Sequence, residues 1–228
     1  YDDVLTVSLH SEESEGAFGR LFFDNIKGGP VLYAMMSDVG KEKGVEQYGL
    51  VSTDANGAKL VEYVHRVLSK DGANSRFTIA GKNRPRAEQV AMTYIVGGEV
   101  LSGRYVGVLD DLIGSGGSMI KAAEAIRADE ESGNIQDLKG VSVFAVSGFL
   151  NNGALKNLKD LHDSGVIEGV YITNTIPHDY SQLQAEFPFL KVYDISTQIG
   201  RAIYQINTHG SISHTLEHVE GIKRFGTK

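Results

Sequence analysis

Two adjacent carboxylates, Asp110 and Asp111, close the apolar run Val106-Gly107-Val108-Leu109, and a small-residue segment, Gly114-Ser115-Gly116-Gly117-Ser118, follows them. The apolar run reads as a buried parallel strand, and Met119-Ile120-Lys121-Ala122-Ala123-Glu124-Ala125-Ile126 reads as a helix with one apolar face. The loop between them therefore lies at the carboxyl end of a strand and the amino end of a helix. There the amides of residues 115–118 lack helical acceptors, the helix dipole adds partial positive charge, and the hydroxyls of Ser115 and Ser118 are further donors, which together suit a phosphate. Asp110 and Asp111 suit the vicinal hydroxyls of a sugar or a hydrated Mg²⁺. Because adjacent carboxylates repel each other, they call for such a partner. A strand, a turn and a helix that bind nothing would carry the same glycines. The paired acids weigh against that plainer reading.

A second chemical signal is the stretch Gly81-Lys82-Asn83-Arg84-Pro85-Arg86-Ala87-Glu88, with three cations inside five positions. It reads as a mobile arm able to close over a polyphosphate, with Pro85 keeping the backbone extended. Its alternative is a solvated basic loop. His214 and His218 are spaced as a helical metal pair but lack an evident third ligand, so they read as part of a surface helix.

The elements that position these residues alternate. Short runs rich in β-branched residues at Val4–Leu9, Tyr48–Ser52, Phe77–Ala80, Met92–Val96, Tyr105–Leu109, Val141–Val146, Gly169–Ile172 and Leu190–Val192 read as strands. Helical patterns lie between most of them, at Pro30–Gly44, Ala58–Leu68, Ser118–Ala128, Gly153–Ser164 and Thr197–Asn207. This order predicts an α/β fold, a mostly parallel sheet flanked by helices, with ligands at the carboxyl ends of the strands. A boundary near Glu46 to Tyr48 divides it into residues 1–47, a partial second lobe, and residues 48–228, a self-sufficient α/β unit. The opening Tyr1-Asp2-Asp3-Val4-Leu5-Thr6-Val7 looks like a strand entered mid-fold, so the chain is expected to be part of something longer.

Composition limits the partners. The chain has 228 residues, 41% of them apolar and 22% charged, which fits a globular protein with a substantial core. A formal charge of −7 offers no general attraction to nucleic acid or an anionic membrane, so a polyanionic ligand needs local positive groups or metal. With no cysteine, disulfides and thiolate metal sites are excluded. That absence, with no apolar run of membrane-spanning length and no signal-peptide pattern at the start, gives a cytoplasmic reading.

Taken together, the motifs resemble those of the ribose-phosphate pyrophosphokinases (phosphoribosyl pyrophosphate synthetases), which have the type I phosphoribosyltransferase fold. Ser8-Leu9-His10-Ser11 with Gly16, Phe18, Asp24-Asn25 and Pro30-Val31-Leu32 is similar to that family's histidine-bearing segment. Ser52-Thr53-Asp54-Ala55-Asn56-Gly57-Ala58-Lys59 resembles its acidic, glycine-containing loop, and Gly81 to Arg86 its catalytic flexible loop. Val108 to Ser118 resembles its ribose-phosphate loop. Thr173-Asn174-Thr175-Ile176-Pro177 and Ile203-Tyr204-Gln205-Ile206-Asn207 with Ser211-Ile212-Ser213 resemble its last strand turn and carboxyl-terminal helix.

The resemblance implies transfer of pyrophosphate from Mg-ATP to the C1 hydroxyl of ribose 5-phosphate, releasing AMP, in a homo-oligomer. It implies that His10 helps hold the Mg²⁺ of Mg-ATP and that Asp54 serves a second metal or the ribose. Lys82 and Arg84 would stabilise the transferring group. Asp110 and Asp111 would bind the ribose hydroxyls, and Ser115, Gly116, Gly117 and Ser118 would surround the 5-phosphate. On the residues alone, His10 could equally be a core histidine after a strand, and Asp54 a turn residue or helix cap.

Several positions depart from the family pattern. Gly114 stands where an aspartate is usual, which leaves room for a larger or differently substituted ribose phosphate; a substrate panel in which only ribose 5-phosphate turns over would refute this. Glu12, Glu13 and Glu15 replace neutral polar residues and would repel phosphate, so weak or absent regulation by inorganic phosphate and ADP is expected. A strong phosphate requirement for activity would contradict that. Asn56 replaces a second glycine. Two other readings stand beside the synthetase: a phosphoribosyltransferase, for which no nucleobase hood is evident, and a catalytically silent relative that binds ribose phosphate and pairs with an active enzyme.

Overall fold

The computed structural model of the protein describes residues 3–19, 22–83, 92–151, 153–212 and 222–225. The chain begins with β1 (Asp3–Val7), a 3₁₀ turn at Glu12–Phe18 and β2 (Phe22–Ile26), and the two strands pair in parallel as a small separate sheet. Helix α1 (Gly28–Lys43) leads to β3 (Gln47–Ser52), α2 (Ala58–Lys70), β4 (Asn74–Asn83), β5 (Met92–Ile95), β6 (Tyr105–Ile113) and α3 (Gly117–Glu131). Then come β7 (Gly140–Gly148), α4 (Ala154–Asp163), β8 (Gly169–Thr173), α5 (Tyr180–Glu186), β9 (Leu190–Asp194), α6 (Ser196–Asn207) and β10 (Lys223–Arg224). The main sheet has the order β10-β9-β8-β7-β6-β3-β4-β5 and is parallel except at its two antiparallel edges, β4 with β5 and β9 with β10.

Helices cover both faces, which is why the central strands read as continuous apolar runs. Along β6, Val106 and Val108 enter one core with Met119, Ala122, Ala123 and Ile126 of α3, while Tyr105 and Leu109 enter the other with α1 and α2. Strand β7 is buried along its whole length and divides in the same way. Each fully buried valine or leucine contributes about 1.5–3 kcal/mol. Helix α1 places Leu32, Met35, Met36 and Val39 on one face against the main sheet, so it shares that sheet's core although it precedes residue 48. Gly40 permits the approach: a Cβ there would stand 1.9 Å from the Tyr48 hydroxyl oxygen.

The structure differs from the sequence expectations at particular points. Strand β6 runs through both acids to Ile113 instead of stopping at Leu109. Strand β4 continues to Asn83, so Gly81 and Lys82 belong to a hairpin arm whose Lys82 pairs with Thr93. The first strand ends at Val7 because Ser8 turns to φ +50°. Strand β2 and helix α5 were not expected: β2 is interrupted by the turn-formers Asp24-Asn25, and α5 is short and polar, capped by the Asp179 carboxylate accepting from the Gln182 amide at 3.0 Å. Among the described residues, no helix is long and apolar enough to cross a membrane.

Candidate functional site

The order of strands reverses between β3 and β6. From β3 the chain proceeds through α2 to β4 on one side, and from β6 through α3 to β7 on the other, with the two helices on opposite faces. The crevice at the carboxyl ends of these two strands is the usual ligand position in an open α/β sheet. Thr53 and Asp54 enter it from β3, and Asp110 and Asp111 from β6.

Neighbouring strand residues point to opposite faces, and the two acids accordingly have different partners. Asp110 accepts from the Thr53 hydroxyl at 2.6 Å and from the Asp111 amide at 2.9 Å. Burial pushes its carboxyl up to about 6, against the lowering effect of the Thr53 and Asp111 donors. Asp111 Oδ2 accepts from His10 Nδ1 at 2.6 Å. The Asp111 hydrogen bond and charge raise the His10 pKa above its ordinary value, with smaller contributions from Asp110 and Asp54. His10 is 71% exposed and Asp111 only 18%, so the imidazole is held over the crevice from its open side. The second oxygen of Asp111 is buried and has no hydrogen-bond partner among the described residues.

Asp54 has a local task. Its Oδ1 accepts from the amides of Asn56 at 2.9 Å and Gly57 at 3.1 Å, closing the turn that starts α2. The Ser52 hydroxyl donates to the Asp54 carbonyl at 2.7 Å and tightens the same turn. Of the two local roles foreseen for Asp54, the turn is present, while the helix cap is Gly57 without a side-chain hydrogen bond. Among the described residues no three His, Asp or Glu side chains are grouped to hold a metal ion.

The loop from β6 to α3 has the expected form. Gly116 takes φ +78°, and α3 starts at Gly117. Among the described residues, no acceptor is found for the amides of Ser115, Gly116, Gly117 and Ser118. The loop's other side is fixed from β7: the amides of Phe149 and Leu150 donate to the Ile113 carbonyl at 2.9 and 3.0 Å, and that of Asn151 to Gly114 at 2.9 Å. At Gly114 an added Cβ would meet only Leu112, at 3.9 Å, so the space beside it is open.

Lys82 is exposed on the β4–β5 arm, and Arg84, like His214 and His218, lies outside the described residues. Thr53, 2% exposed and bonded to Asp110, is a site residue to which no role was assigned from the sequence. Its signal is its place directly after β3, beside a strand the sequence could not identify as the neighbour of β6.

The family model described as phosphoribosyl synthetase-associated domain matches residues 73–217. A ribose-phosphate pyrophosphokinase of Haemophilus influenzae is 32% identical over 212 residues, covering 93% of this chain and 60% of the relative. One of Hyphomonas neptunium is 30% identical over 216 residues, covering 95% and 62%. The chain thus spans about 60% of the length of the curated relatives it matches. The crystal structure of phosphoribosylpyrophosphate synthetase from Mycobacterium smegmatis shares the fold, with a TM-score of 0.69 at 21% identity over 92% of this chain and 60% of that one. The family match, which takes in β4 through α6 and the β6–α3 loop between them, makes this chain a member of the phosphoribosyl synthetase-associated domain family.

Proposed function

We propose that this chain supplies the sugar-phosphate site of a ribose-phosphate pyrophosphokinase, which makes phosphoribosyl pyrophosphate and AMP from ribose 5-phosphate and Mg-ATP. The observation that carries the reading is the crevice where β3 and β6 diverge: open amides at residues 115–118 stand at one end of it and two carboxylates beside them. In this reading Ser115, Gly116, Gly117 and Ser118 bind the 5-phosphate, and Asp110 and Asp111 accept from the ribose hydroxyls. The C1 hydroxyl oxygen attacks the β-phosphorus of ATP. The bond from that phosphorus to the α,β-bridging oxygen breaks, AMP leaves with the oxygen and its electron pair, and the C1 hydroxyl proton is released to solvent. Such a transfer depends on alignment and charge neutralisation more than on covalent help. Lys82 and Arg84 would provide positive charge from the arm as it closes.

Mg²⁺ enters with ATP as part of the substrate. The donors present fit that role better than a resident cage: His10 has an exposed ring, Asp111 one unpartnered oxygen, and Asp54 a carboxylate already engaged at one oxygen. One or two protein ligands completed by phosphate oxygens and water are usual for this ion. When bound, Mg²⁺ neutralises charge on the phosphates. We further read β1 and β2 as the remnant of a second lobe, expected over residues 1–47, beside the unit at 48–228 into whose core α1 packs, in a cytoplasmic homo-oligomer with no nucleic-acid or membrane partner.

The test is calorimetric titration with ribose 5-phosphate, followed by AMP release from Mg-ATP with and without it. Binding that disappears in Asp110→Asn, with sugar-dependent AMP release, is the expected result. Absence of ribose 5-phosphate binding would sink the reading. Binding without AMP release, in this chain and in a longer one, would favour the silent relative.

A further inference from the structure

Strands β3 and β6 pair in parallel up to Ser52 and Leu109, so Thr53, the first residue past β3, stands level with Asp110 of β6. The Thr53 side chain is buried, and its hydroxyl donates to Asp110 Oδ2 at 2.6 Å. A threonine hydroxyl has a single hydrogen, and here the carboxylate takes it. Asp110 Oδ1 accepts from the Asp111 amide at 2.9 Å. The carboxylate is thus held by one donor on each oxygen, one from beyond β3 and one from its own strand.

The torsion that turns an aspartate carboxyl group is broad and roughly two-fold, so the group alone has no fixed plane. Two donors on different strands fix it. An ionised carboxylate has about four lone-pair sites, so each oxygen keeps room for a further donor. Thr53 is itself well anchored. Its branched Cβ restricts its rotamers, and the turn after it is closed by the Ser52 hydroxyl on the Asp54 carbonyl and by Asp54 on the amides of Asn56 and Gly57. Asp111 is held differently, by the exposed ring of His10. Of the two acids, Asp110 is the one whose acceptor geometry is set from within the sheet. A site built to accept from a substrate hydroxyl rejects an analogue that lacks it.

We propose that Thr53 is a positioning residue for sugar recognition: its hydroxyl orients the Asp110 carboxylate so that the site selects a ribose phosphate over its deoxy counterpart. The inference rests on the pyrophosphokinase reading, in which Asp110 accepts from a ribose hydroxyl, and adds to it the group that sets the selection.

Calorimetry on the full chain at neutral pH compares ribose 5-phosphate with 2-deoxyribose 5-phosphate and 3-deoxyribose 5-phosphate, in the parent, Thr53→Val and Thr53→Ser. Valine keeps the branched shape and removes the hydroxyl, whereas serine keeps the hydroxyl. Thr53→Val is expected to weaken ribose 5-phosphate about tenfold, as loss of a hydrogen bond to a charged group does, and to change one of the deoxy sugars by less than about twofold. Most of the parent's preference over that deoxy sugar then disappears, which identifies the hydroxyl that Asp110 accepts from. Thr53→Ser retains the preference. Urea midpoints on the same preparations report the fold, and Thr53→Ala takes the place of Thr53→Val if the latter does not fold. Equal weakening of all three sugar phosphates, as a merely structural role gives, or a preference lost as fully in Thr53→Ser, would overturn the proposal. A parent that binds no ribose 5-phosphate overturns the pyrophosphokinase reading and this inference with it. A parent that binds, with its preference unchanged in Thr53→Val, overturns this inference alone.

Discussion

His10 and Asp111, separated by 101 positions in the chain, meet at 2.6 Å between the imidazole Nδ1 and a carboxylate oxygen. The contact links the turn after β1 to the end of β6, and thus the small sheet to the main one. Since the Asp111 bond and charge raise the His10 pKa, the ring titrates above about 6.5 in the native protein. The pair's stabilisation is present below that unfolded value and is lost as pH rises through the folded pKa. NMR titration of the metal-free protein should show the elevated midpoint, and Asp111→Asn should return it to the ordinary range. A native midpoint at or below the ordinary value would contradict the contact.

Asp110 has the opposite sign from most carboxylates. Its folded pKa of about 6 exceeds the unfolded value near 3.9, so the folded state binds more protons between those limits and stability falls as pH rises through them. Asp110→Asn should remove that slope. Urea unfolding at pH 4.5 and 7.5 checks it: the variant should gain on the parent at the higher pH, and a constant difference would refute the assignment.

Gly116 occupies a left-handed conformation at φ +78° just before α3. Gly116→Ala should cost about 1–2 kcal/mol of stability and weaken ribose 5-phosphate binding, since the strain acts on the amides proposed to bind the 5-phosphate. Denaturation and calorimetry on one preparation test both effects.

Lys82→Ala should leave stability within about 0.5 kcal/mol of the parent, because the side chain is exposed. In a chain competent for AMP release it should lower the turnover by roughly 10²-fold or more, with ribose 5-phosphate binding retained. Unchanged turnover would remove Lys82 from the proposed chemistry.

Arg224 fastens β10 to the body. Its guanidinium pairs with Asp38 at 3.1 Å and with Glu42, donates to the Tyr193 hydroxyl at 3.0 Å, and stands over the Tyr193 ring. Arg224→Met should destabilise by about 1–3 kcal/mol, as loss of hydrogen bonds to charged groups does. Urea unfolding measures this, and an effect near zero would show the clasp to be ornamental to stability.

The sequence by itself determined the layered architecture and the glycine- and serine-rich turn from β6 into α3. Val106, Val108, Val141 and Val143 lie in short runs that only a strand buried on both faces requires, and Gly116 with Ser115 and Ser118 marks a turn into a helix whose local geometry needs no distant partner. Asp24-Asn25 hid β2, because turn-forming residues were held extended by pairing with a strand remote in sequence. Only the tertiary structure decided the environment of the acids. It set Thr53 against Asp110 and His10 against Asp111, and turned Asp54 to its own loop. The physical reason is that periodicity records which residues are buried, whereas sheet order, set by the packing of both faces together, decides which strand ends are neighbours.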